Sequence, residues 1–136
     1  MSQTFLYRLF GIGKVPKKVN EVLRLEGVIL QEEGLSGSIT YRNFKAPGKR
    51  FGYKKSWFSG SLTITEKRFV GLAFSRFLIN IPLEEDKFSA LDITVEGQST
   101  LLIAFDPSVF DPQQSGQILC KFHTPKAQLY LERLTS

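Results

Sequence analysis

The sequence has almost none of the residues from which metal sites, disulfides and nucleophilic dyads are built. One cysteine, Cys120, and one histidine, His123, stand in 136 residues. A lone cysteine excludes an internal disulfide framework and fits a reducing compartment. A zinc site needs three or four such ligands, and a Cys–His nucleophile needs the pair aimed at each other. Cys120 and His123 are three apart on a predicted strand and so face opposite ways. The expectation is a buried structural thiol and a strand-end histidine.

Long apolar runs are missing as well. No stretch approaches the ~18 residues of a membrane-spanning helix. Phe5–Phe10 is apolar but short and interrupted by Arg8, so Met1–Phe10 does not read as a secretory signal. Cytoplasmic residence, peripheral to a membrane where the basic surface below is used, is the expected location. Catalytic signatures are absent too. Gly34-Leu35-Ser36-Gly37-Ser38 lacks nucleophile-elbow spacing, and Gly11-Ile12-Gly13-Lys14 lacks the Lys-Ser/Thr ending of a phosphate loop. The carboxylates Glu32, Glu33, Glu84, Glu85, Asp86, Asp106 and Asp111 fall in expected loops, where solvated turns are the default. No catalytic residue, metal or cofactor is expected, and the chain reads as a non-enzyme.

What is present is core material and unevenly placed positive charge. The hydrophobic share is 42%, with 12 phenylalanines, enough for one ordinary globular core. At this length a single domain is expected over 1–136. The balance of 18 basic and 13 acidic residues gives +5. Residues 1–18 and 41–58 carry cations and no acid, and such segregation produces a local positive field.

Periodicity divides the chain into an N-terminal arm and helix (1–27), a β region (28–123) and a C-terminal helix (124–136). Pro16 opens a helix over 16–26, with Val19, Val22, Leu23 and Leu25 at helical spacing and Gly27 as terminator. Gly11-Ile12-Gly13 reads as a hinge. Segment 1–10 is read as a packed arm, on the barrel or on a second copy, in preference to a membrane-surface segment. From Val28 onward the period becomes that of strands. Glu32–Gly37 reads as a turn or as a polar interruption with two glycines, and a further turn falls at Pro47-Gly48. Strands follow at 61–65, 69–74, 77–83, 91–96, 101–105 and 117–123. Leu62, Ile64, Val70, Leu72, Ile79, Ile81, Ile93, Val95 and Leu102 form the expected inward set. Thr124 and Pro125 start a helix whose apolar stripe, Ala127, Leu129, Tyr130, Leu131 and Leu134, must dock on the open end of a sheet. Short strands at regular spacing followed by one helix predict a mainly β, α+β sandwich or barrel.

Trp57–Val70 is similar to the strand and turn "G-x-L-x-(I/L)-T-x-x-R-(L/F)" of GRAM-like and bacterial pleckstrin-homology-like domains, and the order of elements over 28–134 resembles that family. The resemblance implies a split β-barrel of about seven antiparallel strands in two near-orthogonal sheets, closed by a C-terminal helix. The short N-terminal helix lies outside that pattern. Inositide-binding members carry "K-x(n)-(K/R)-x-R" across the first hairpin. Lys54-Lys55-Ser56 lacks the last arginine, so the resemblance favours charge attraction over specific headgroup recognition.

The first hairpin is the candidate site. Arg42, Lys45, Lys49, Arg50, Lys54 and Lys55 alternate with Tyr41, Phe44, Phe51, Tyr53, Trp57 and Phe58. Cations attract phosphates, and aromatic faces enter a lipid interface or stack on bases. Strand alternation sends about half of these aromatics into the core. The reading is a binding or adaptor module for an anionic membrane surface or acidic protein segment. The alternative is single-stranded nucleic acid held by the same hairpin. A small enzyme with an internal pocket is the third reading, disfavoured by the apolar inward set.

Overall fold

In the computed structural model, residues 11–135 are described; the arm expected over 1–10 lies outside them. Helix α1 is Lys17–Leu25. Strands β1 to β7 follow: Val28–Ala46, Lys49–Thr65, Arg68–Ala73, Arg76–Pro82, Asp92–Glu96, Thr100–Phe105 and Ser115–His123. Helix α2, Ala127–Thr135, ends the described chain. The seven strands make one antiparallel sheet in the order β4-β3-β2-β1-β7-β6-β5, with β4 and β5 as its open edges.

One continuous sheet, where two were expected, follows from the length of β1. Its first half pairs only with β2, while Gly37–Lys45 pairs with β2 on one side and β7 on the other. The expected turn at Glu32–Gly37 is therefore wrong: those residues lie inside a 19-residue strand. Gly34 takes φ +72 and absorbs a register shift between Glu33 and Leu35, a β-bulge that bends the strand without ending it. Leu35 is then fully buried. Likewise 61–65 is the end of the 17-residue β2 and not a separate strand.

The sheet curls on itself. Phe122 of β7 lies 3.2 Å from where a Cβ on Gly71 of β3 would sit, although β2 and β1 separate those strands in the sheet. The enclosed core includes Leu35, Leu62, Ile64, Phe69, Ile79, Ile81, Leu101, Ile103 and Phe122. Here the expected inward set needs two corrections. On β6 the buried residues are Leu101, Ile103 and Phe105, and Leu102 is only half-buried, a one-residue slip that exchanges faces. Val70 and Leu72 are buried on the opposite face of β3, in a second cluster with Val15 and Leu23.

That second cluster lies under α1. Of the helix's expected apolar stripe only Leu23 is buried; Val22 is 54% and Leu25 89% exposed. Polar contacts complete the docking. Glu26 accepts from Arg68 Nε at 2.8 and 2.9 Å and from Thr65 Oγ1 at 3.0 Å. Gly13 is no hinge: at φ +99 it is packed so closely that a Cβ would lie 2.5 Å from Ser59 Oγ, and Ser59 Oγ donates to the Ile12 carbonyl. At the other end α2 packs on β5 and β6, burying Ala127, Tyr130 and Leu134. Thr124 caps it, accepting from Lys126 N at 3.0 Å and donating to the Glu32 carboxylate.

The Glu26 contact carries a pH signature. Burial alone would raise its carboxyl pKa, but the hydrogen bonds from Arg68 and Thr65 and the charges of Arg68 and Lys67 outweigh burial and hold it below 4.5. A carboxyl with a lowered folded-state pKa adds stability above its ordinary pKa and loses it as pH falls through the folded value. Glu26→Gln is thus expected to lower the urea midpoint at neutral pH. The gap between the two proteins should close as pH drops below 4.5. A gap that persists unchanged in acid would show that the contact depends on shape and not on charge.

Candidate functional site

The hairpin tip is built by a two-residue connection, Pro47-Gly48, with Gly48 at φ +75. Just before it the strand alternation is reset. Asn43 takes φ 50, so Tyr41 and Phe44, three apart, meet edge-on with centroids at 5.0 Å. Phe51 completes the cluster, 5.9 Å from Phe44. Three of the six hairpin aromatics thus turn towards the interior, and Phe58 joins them against Phe122 at 5.2 Å. Tyr53 and Trp57 stay outside, each 64% exposed.

The cations divide as well. Lys54 lies over the Phe51 ring at 4.6 Å and, with Lys49, borders a cleft of about 630 Å³ at the concave end of the sheet. Ile39, Tyr41, Phe44, Phe105 and Ile118 form its floor. Phe77 of the β3–β4 hairpin and Phe110 of the β6–β7 connection stand at its mouth, 50% and 38% exposed. Arg76 reaches the same cleft from β4. No acidic residue lines it among the described residues.

The other four candidate residues lie elsewhere. Lys45 and Arg50 face each other across the strands and border a smaller depression with Asn43, Gly52 and Ser115. Arg42 pairs with Tyr53 across β1 and β2, and Lys55 lies over the Trp57 ring at 4.6 Å on the outer face. The charge run therefore divides among three surfaces. Arg76 was missed in the sequence because it looked like an ordinary turn residue. Only the folding of β3–β4 beside β2 brings it near Lys54. Its one legible signal was a lone cation between two apolar strands.

Elsewhere the chemistry is sparse. Cys120 is fully buried between Ile39 and Ile103 in the β1–β7–β6 register, and burial pushes its thiol up to about 12. His123 Nδ1 lies 3.1 Å from Thr100 Oγ1. Burial, then the nearby Glu32 charge, raises the Tyr130 hydroxyl. No cluster of three or more His, Cys, Asp or Glu suited to a metal occurs among the described residues. No helix among them is long and apolar enough to cross a membrane. The cleft can offer positive charge above an aromatic floor, which is recognition chemistry. Compared with protein-family models and with curated protein sequences, the chain matches none.

Proposed function

We propose that the chain is a non-enzymatic binding module that docks its concave end on an anionic membrane surface. The carrying observation is the meeting of Lys49, Lys54 and Arg76, from two hairpins, at the mouth of one aromatic-floored cleft without a lining acid. Cations with aromatics at their side suit a layer where charge and hydrocarbon adjoin. An acidic protein segment would use the cations but would leave Phe77 and Phe110 less satisfied. Membrane docking goes with peripheral residence on a cytoplasmic leaflet. The proposal extends to the fold family, a pleckstrin-homology-like split barrel. Seven antiparallel strands with a closing C-terminal helix support that reading.

A second reading has its own support. Tyr53 and Trp57 expose their rings on the outer face beside Lys55 and Arg42, a surface on which unpaired bases could stack. Co-sedimentation separates the two. Binding is expected to vesicles of phosphatidylcholine mixed with phosphatidylserine, to weaken with salt, and to be absent with phosphatidylcholine alone. Tight binding to a single-stranded oligonucleotide, with indifference to vesicles, would favour the outer face and overturn the membrane reading.

A further inference from the structure

The β3–β4 connection breaks the residue preference of its own geometry. Ala73 and Arg76 pair across the hairpin, leaving Phe74-Ser75 as a two-residue turn. Phe74 takes φ 56. Left-handed backbone at the first turn position is the usual place of glycine, or of asparagine, and a bulky side chain there is strained. Burial repays this only in part, since Phe74 is 44% exposed. Phe77, three residues on, is 50% exposed, and Arg76 between them borders the cationic cleft. Backbone anchoring fixes the turn, as Phe74 N donates to the Ser59 carbonyl at 2.9 Å.

From this we infer that the β3–β4 turn is an aromatic anchor. Phe74 and Phe77 enter the interfacial layer of an acidic bilayer while Arg76, Lys49 and Lys54 hold its phosphates. The inference rests on the membrane reading above and adds the penetrating element to it. Aromatic rings at and beside a hairpin tip, with Arg76 between them and Lys49 and Lys54 on the cleft that Phe77 borders, suit a layer where hydrocarbon and phosphate adjoin. Strain retained at an exposed position is expected where the side chain works on something outside the chain.

The test uses the full chain, with Phe74→Gly and Phe74→Trp compared by urea denaturation and by vesicle co-sedimentation. Glycine relieves the left-handed strain, so its urea midpoint should be no lower than that of the unmodified protein. Its affinity for phosphatidylserine-containing vesicles should fall about tenfold, the order set by withdrawing one aromatic ring from an apolar phase. Tryptophan, suited to the interface, should keep the affinity. Unchanged binding by Phe74→Gly, or a midpoint that falls along with binding, would overturn the anchor. So would self-association of the unmodified protein that Phe74→Gly abolishes, which would make the turn a protein contact. If the unmodified protein fails to sediment with acidic vesicles, the membrane reading itself falls. If Lys49→Glu abolishes binding and Phe74→Gly does not, only the anchor falls.

Discussion

Replacing Phe122 by alanine is expected to remove about 4 kcal/mol of unfolding free energy, within the range for a fully buried aromatic. Phe122 has no exposed surface. Its ring meets Phe58 edge-on at 5.2 Å and reaches across the interior to Gly71. It links the β7 side of the sheet to the β3 side. Its neighbours cannot collapse into the gap. On β1 it is opposite Gly37, which has no side chain to offer. A Cβ at Gly37 would lie 2.3 Å from the Lys121 carbonyl oxygen, so even alanine there forces backbone apart. A typical domain has only about 5–15 kcal/mol in total, so Phe122→Ala should bring the urea midpoint close to failure with little change in slope. By contrast Phe77→Ala, at a half-exposed rim position, should change stability by about 0.5 kcal/mol or less. A small effect at Phe122 would mean that the sheet does not close on this ring.

The double reversal Lys49→Glu/Lys54→Glu should lower affinity for acidic vesicles at least tenfold. A lysine near an acidic leaflet contributes about 1 kcal/mol, and reversal replaces attraction by repulsion at both positions. Screening by salt reduces the ideal sum, which is why tenfold, about 1.4 kcal/mol, is the lower bound. Arg42→Glu/Lys55→Glu makes the same change in net charge on the outer face. It should cost far less, because those side chains do not border the cleft. Equal losses from both pairs would show that overall charge governs binding and that the concave end has no special part. Both pairs are exposed, so neither should lower the urea midpoint appreciably.

Much of the fold could be read in advance, because hydrophobic period and turn chemistry agree over most of it. The Pro47-Gly48 turn, the strands from 61 to 123 and the terminal helix capped by Thr124 all have local causes. Errors arose where a local signal was overridden by long-range pairing. Glu32–Gly37 has the composition of a turn, but Gly34 makes a bulge and Leu35 is core. Both faces of β3 are apolar, and sequence could not say that α1 takes one of them. Leu101 to Phe105 is apolar throughout, so its inward face was ambiguous by one residue.

The candidate site was legible as a charge run and not as a site. Six cations in one hairpin looked like one patch, whereas Lys49 and Lys54 border the cleft and Arg42 and Lys55 do not, Lys54 and Lys55 being neighbours that alternate to opposite faces of β2. Which face of the hairpin meets the cleft depends on how the strands close, which residue type alone does not determine. Arg76 entered only through tertiary structure.

Whether the concave end faces the anionic surface can be tested without mutating the protein. Lysine acetylation can be mapped residue by residue with and without phosphatidylserine-containing vesicles. Lys49 and Lys54 should be protected, while Lys17, Lys55 and Lys126 continue to react. Protection centred on Lys55, or uniform across all lysines, would contradict the account.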